Sequence, residues 1–152
     1  MGGVYKSKEE IYKEADVIFM MMPLLKPTYH TINEESLSLM KKGVIIINTS
    51  RGGLIDTKAL LKAIRSGIVS GVGMDVYENE ADYFFQDWSG KNVQDPDLLA
   101  LLGEPRVLLT AHQAFFTQEA VENIVSTTLR NIDDFHDGKT GAAHPNSCLP
   151  TK

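Results

Sequence analysis

The sequence of 152 residues holds one cysteine, Cys148, so neither an internal disulfide nor a cysteine-rich zinc site is available to it. That usage suits a reducing compartment, and a cytoplasmic location is the expectation. No apolar run is long enough to span a membrane, and residues 1–6 lack the apolar core of a signal peptide. Gly2 opens like a myristoylation site, but Lys6 stands where Ser or Thr is required. Positive charge is short: 15 Lys and Arg against 20 Asp and Glu leave a net charge of -5. With no basic stripe, nucleic acid is not an expected partner. Also missing is a G-x-G-x-x-G loop after a strand, and with it the acidic residue about 20 positions beyond that would hold a ribose. No set of side chains suggests a metal site. What remains is ordinary for a soluble domain, 43% hydrophobic and 23% charged, and long enough to bury a core without staples.

The pattern along the chain alternates strands with helices. Ser7-x-x-Glu10 is a capping-box pattern ahead of Ile11 and Tyr12, which predicts a short helix. Residues 16–22 form an apolar run stopped by Pro23, read as a parallel strand buried on both faces. A loop with two prolines follows over 23–32. Asn33 reads as an N-cap, Ile32 and Leu37 as a hydrophobic staple, and Gly43 as the end of that helix. Residues 44–48 are the second strand, and Asp56 caps a helix carrying Leu60, Leu61 and Ile64, stopped by Gly67. A third, glycine-rich strand lies within 69–77. Residues 78–96 read as an irregular acidic and aromatic loop, 97–102 as a helical turn, and 107–110 as the fourth strand. The last helix starts near Gln118 with the face Val121, Ile124, Val125, Thr128, Leu129, Ile132 and Phe135, and ends at Gly138. The tail from Lys139 is expected to be poorly ordered. The fold class is therefore α/β, a partial doubly wound, Rossmann-like parallel sheet with flanking helices that lacks its first βαβ unit.

Three residues fall at or just past predicted strand ends, each in a distinctive string. Arg51 lies in Asn-Thr-Ser-Arg-Gly-Gly-Leu-Ile-Asp, Glu80 in Gly-Met-Asp-Val-Tyr-Glu-Asn-Glu, and His112 in Val-Leu-Leu-Thr-Ala-His-Gln-Ala-Phe. Parallel strands point the same way, so their C-terminal ends share one crevice, where ligands bind in open α/β sheets. A guanidinium there can grip a carboxylate with two parallel bonds. An imidazole beside a carboxylate can exchange a proton near neutral pH.

These strings, in this order and spacing, resemble the D-isomer-specific 2-hydroxyacid dehydrogenases, above all their fermentative D-lactate branch, over nearly the whole chain. The resemblance implies reversible hydride transfer between NADH and a small 2-oxo acid, with pyruvate the leading candidate. It implies that Arg51 binds the substrate carboxylate and polarises its ketone, that His112 is the general acid and base, and that Glu80 orients the imidazole and favours its protonated form. By the same resemblance Asp75 receives the nicotinamide carboxamide, Met22 and Pro23 sit on the adenosine or pyrophosphate side, Thr49 and Ser50 line the ribose, and Phe115 flanks the substrate. Residues 1–138 correspond to the C-terminal portion of the NAD-binding domain, and 139–152 to a tail leading back toward a substrate domain. The implied partners are the 2-oxo or 2-hydroxy acid, with no nucleic acid and no membrane, and a homodimer for a full-length protein.

The likeness departs in two places. Ala111 stands where the family usually has Pro or Gly before the histidine. The chain also begins beyond the glycine-rich phosphate loop, its ribose-binding acid and most of the substrate domain, so it reads as a truncated dehydrogenase with weak NAD binding and negligible turnover alone. Two other classes stay open: a non-catalytic, NAD-binding co-repressor-like protein, and the product of a broken gene. The Asn79-Glu80 pair and the Phe84-Phe85-x-Asp87-x-Ser89 loop look like the lactate branch instead. The blander readings are these. His30, His136 and His144 are surface residues. Glu78 rivals Glu80, and only the family register separates them. Asp75 could cap a turn, Met20, Met21 and Met22 fill the core, Gly52 and Gly53 make a turn, and Tyr83, Phe84, Phe85 and Trp88 pack a loop.

Overall fold

The computed structural model describes residues 2–139, 141, 144 and 146. The remainder of the tail, where poor order was expected, lies outside the described residues. The chain divides into two compact units, Met1–Gln113 and Ala114–Lys152.

The first unit is built on four parallel strands in the order β1 (Val17–Met20), β2 (Val44–Asn48), β3 (Val69–Met74) and β4 (Val107–Leu109). Register is direct, with Val17 opposite Ile45, Ile47 opposite Gly73, and Met74 opposite Leu109. Side chains alternate across a strand, so one face carries Ile18, Met20, Val44, Ile46, Val72 and Met74, all buried. Against this core lie α2 (Glu34–Ser38), α3 (Thr57–Ser66) and α5 (Pro96–Leu102), with α1 (Lys8–Glu14) packed on α2. In α3, Leu60, Leu61 and Ile64 all turn inward, and Leu60 and Ile64 are fully covered. Burial of each such side chain stabilises the fold by about 2 kcal/mol.

The alternation corrects the expectation of a strand buried on both faces. Val17 and Phe19 remain 43% and 64% exposed, because the helices of this unit pack on the side of their neighbours Ile18 and Met20. Of the three consecutive methionines Met20 fills the core, Met22 is half-buried against it, and Met21 is exposed.

The caps explain where the helices begin. Ser7 and Glu10 form the reciprocal capping box ahead of α1. The Asn33 side chain accepts from Ser36 N, and that of Asp56 accepts from Ala59 N. Gly67 closes α3 in the left-handed conformation (φ 79°) that glycine adopts without steric cost. Gly43 does not end α2 as expected. That helix stops at Leu39, and Gly43 (φ 92°) instead turns the chain into β2. The loop over 78–96 is not wholly irregular, since Glu80–Tyr83 forms the single turn α4.

The second unit contains α6 (Gln118–His136), capped by Thr117 through Ala120 N. Its predicted apolar face is exposed at Ile124, Val125, Leu129, Ile132 and Phe135. His136 is exposed, whereas His144 is not the surface residue expected: its side chain is 10% exposed, with Nε2 3.6 Å from Asp134 Oδ2.

Candidate active site

All three strand ends that carry the candidate residues lie on the same edge of the sheet, since β2, β3 and β4 run parallel. The sequence builds each approach differently.

Beyond β2, the buried Asn48 side chain accepts from Ser50 N (3.1 Å) and donates to Arg51 O (2.9 Å). One amide therefore shapes the turn that delivers Arg51. The Arg51 guanidinium is exposed, donates to Ser50 O (2.7 Å), and forms no ion pair among the described residues. It is a fixed-charge fork with donors to spare. Next to it, a Cβ on Gly52 would overlap the Tyr77 carbonyl and lie 2.5 Å from Glu78 N, so only glycine lets these two segments touch.

Beyond β3, Asp75 is buried, and its Oδ1 accepts from the Thr110 hydroxyl and from Gln113 N (2.9 Å). Its backbone carbonyl accepts from His112 N (2.7 Å). Asp75 thus organises the loop that carries the histidine. Tyr77 is buried with its hydroxyl donating to Asp95 Oδ2 (2.7 Å). Burial, and after it this bond, hold the Tyr77 phenol well above the ordinary tyrosine range. Burial opposes ionisation of Asp95, yet the bonds from Tyr77, Leu98 N and Asp97 N outweigh it and keep its carboxyl below the usual value.

Glu80 lies at the start of α4. Its Oε2 accepts from Tyr77 N (3.1 Å), and its Oε1 lies 3.0 Å from His112 Nδ1. With Nδ1 engaged by a carboxylate, the neutral ring carries its proton there and presents Nε2 as the working nitrogen. Both side chains are partly exposed, at 30% and 21%. His112 itself has φ 50°, a conformation unusual outside glycine and held here by the bond to Asp75 O. The exposed ring of Phe85 (φ 63°) stands 5.8 Å from the imidazole.

The structure therefore unites Glu80 with His112, and Asp75 with the His112 loop. Arg51 shares their edge of the sheet but makes no bond to either Glu80 or His112. Two of the proposed cofactor-lining residues meet, Ser50 Oγ donating to Met22 O (2.7 Å), while the Thr49 hydroxyl lies 3.9 Å from Met21 Sδ. Pro23 beside them is exposed. Phe115 belongs to the second unit, exposed and edge-to-face with Phe116 at 6.1 Å.

Sequence reasoning missed three residues here. Asn48 has a readable signal, an Asx turn at a strand end. Thr110, two positions before the histidine, has none. His30 is not a plain surface residue: its Nε2 lies 2.6 Å from Glu78 Oε1. This also separates the two rival carboxylates, because Glu78 faces His30 and Glu80 faces His112.

Residues 1–114 match the family model described as "D-isomer specific 2-hydroxyacid dehydrogenase, NAD binding domain". A 2-hydroxyacid dehydrogenase homolog of Schizosaccharomyces pombe is 49% identical over 135 residues, covering 89% of this chain and 41% of that protein. The D-lactate dehydrogenase of Escherichia coli is 43% identical over 140 residues, covering 92% and 43%. The solved structure of an Aquifex aeolicus D-lactate dehydrogenase complexed with NAD and lactic acid superposes with a TM-score of 0.78 at 40% identity, covering 89% and 41%. The chain thus spans about two fifths of the length of the relatives it matches.

Proposed function

This chain belongs to the D-isomer-specific 2-hydroxyacid dehydrogenase family through its NAD-binding domain, and on that premise we propose that it serves NAD-dependent reduction of a small 2-oxo acid, pyruvate foremost. The carrying observation is the Glu80–His112 pair at the strand ends, with a free Arg51 on the same edge. In this reading residues 1–138 are the C-terminal portion of the NAD-binding domain and the protein acts in the cytoplasm. No helix among the described residues is long and apolar enough to cross a membrane.

The chemistry follows from the side chains. Bound NADH supplies the hydride. Arg51 binds the substrate carboxylate through two N–H donors and draws charge onto the ketone oxygen. His112 gives the proton at Nε2 to that oxygen, and Glu80 on Nδ1 holds the ring in orientation. In the reverse direction His112 removes the hydroxyl proton. Asp75 orders the His112 loop through Thr110 and Gln113 N and, in this reading, accepts from the nicotinamide carboxamide. Met22, Pro23, Thr49 and Ser50 line the cofactor side.

The test is NADH oxidation by the protein as its source cells make it, assayed against pyruvate and against bulkier 2-oxo acids. Saturable oxidation with a 2-oxo acid supports the reading. Retained NADH binding with no turnover on any 2-oxo acid would overturn it.

A further inference from the structure

Two residues from Glu80, a second carboxylate meets a second imidazole. Glu78 is half-buried, and its side chain engages four groups. Oε1 takes the Tyr29 hydroxyl (3.2 Å) and meets His30 Nε2 (2.6 Å), while Oε2 accepts from Thr57 N (3.3 Å) and the Thr57 hydroxyl (3.0 Å). Asp56 Oδ2 lies 4.0 Å from the other ring nitrogen of His30. Capping alone does not explain this arrangement, because Asp56 already caps α3.

The four groups belong to the segments that flank the site. His30 and Ile32 are zipped by backbone bonds to Gly53 and Leu54, and Asp56 N returns to Ile32 O. The loop after β1 and the turn after Arg51 therefore move as one piece. Gly52 in that turn rests on the Tyr77–Glu78 backbone. On its other side the 77–80 segment is held by the Tyr77 hydroxyl on Asp95 and by Tyr77 N on Glu80 Oε2. Glu78 is the charged tie between the piece that carries Arg51 and the segment that carries Glu80.

We propose that Glu78, with His30 as its partner, is a positioning residue that sets the spacing between the Arg51 carboxylate grip and the Glu80–His112 pair. This rests on the dehydrogenase reading for its kinetic consequence, but not for its structural one. The Glu78 carboxylate is taken up by Tyr29, His30 and Thr57. It acts by fixing two loops whose relative shift would misalign a substrate held at one end and protonated at the other, and small misalignments are costly in such sites.

The experiment compares Glu78→Gln, and His30→Gln in case the first variant folds poorly, with the native full-length protein. In each, KM for the 2-oxo acid is expected to rise roughly tenfold and kcat to fall. KM for NADH should hold, and the pH–rate profile should keep its wild-type shape. Backbone amide resonances of Arg51, Gly52, Tyr77 and Glu80 are expected to shift together. Wild-type kinetics with only a lowered Tm would overturn the proposal, reducing Glu78 to a strut. A pH profile altered as in Glu80→Gln would also overturn it, placing Glu78 on the imidazole itself. If the wild-type protein reduces no 2-oxo acid, the dehydrogenase reading fails, yet the resonances still decide: shifts confined to Tyr29, His30 and Thr57 reject the positioning role, and shifts reaching Arg51 and Glu80 uphold it.

Discussion

His112 Nδ1 lies 3.0 Å from Glu80 Oε1, and the second oxygen of that carboxylate is held by the backbone N–H of Tyr77. The imidazole is thus oriented by a carboxylate that is itself oriented, the support that the proposed proton transfer needs. Replacing Glu80 with Gln keeps the shape and removes the charge. Turnover should fall about a hundredfold with little change in KM for the 2-oxo acid, as read from steady-state NADH oxidation.

Arg51 offers a different signature. Its guanidinium is free to bind a carboxylate with two parallel bonds, which the single ammonium of lysine cannot reproduce. Arg51→Lys should raise KM for the 2-oxo acid by about a hundredfold while leaving NADH affinity near its wild-type value, measurable by fluorescence titration.

Gly52 tests the packing beneath that arginine. A methyl group there overlaps the Tyr77 carbonyl, and neither backbone can yield without moving the loops on both sides. Gly52→Ala should cost about 3 kcal/mol of stability in urea unfolding, at the high end for overpacking, where Gly53→Ala, facing the flexible Leu24 and Tyr29 side chains, costs less.

The buried Tyr77–Asp95 pair makes stability depend on pH at both extremes. Asp95 titrates below its ordinary value, so its contribution is present above about pH 4 and is lost as pH falls through the folded value. Tyr77 titrates above its ordinary value, so its contribution is present below about pH 10 and is lost as pH rises further. Tyr77→Phe should lower stability by about 2 kcal/mol near neutrality, with the gap to wild type narrowing in acid and in strong alkali. Urea midpoints across pH measure this.

Much of the fold was legible because local chemistry agrees with it. The 44–48 strand and the Asp56-to-Gly67 helix were readable from an apolar run, a cap and a glycine stop, and all of these signals lie within a few residues. The face that β1 leaves exposed was not readable. An apolar run says that a strand is covered on two sides, and only the placement of α2, α3 and α5 shows which side this unit covers. At the site, the strings around Arg51, Glu80 and His112 drew the eye to three strand ends. The partners Thr110 and His30 were hidden because their bonds span long separations in sequence and leave no periodic trace. Glu78 and Glu80 look alike in sequence; an imidazole from a different loop distinguishes each.

In the proposed reaction His112, oriented by Glu80, transfers the proton in 2-oxo acid reduction. Its most direct test is the turnover of His112→Ala in the native full-length protein, with Tm checked alongside. Saturable NADH oxidation with pyruvate or a related 2-oxo acid is expected of the wild type, and at least a hundredfold lower kcat of the variant at an essentially unchanged Tm. A variant that turns over at the wild-type rate would contradict that role.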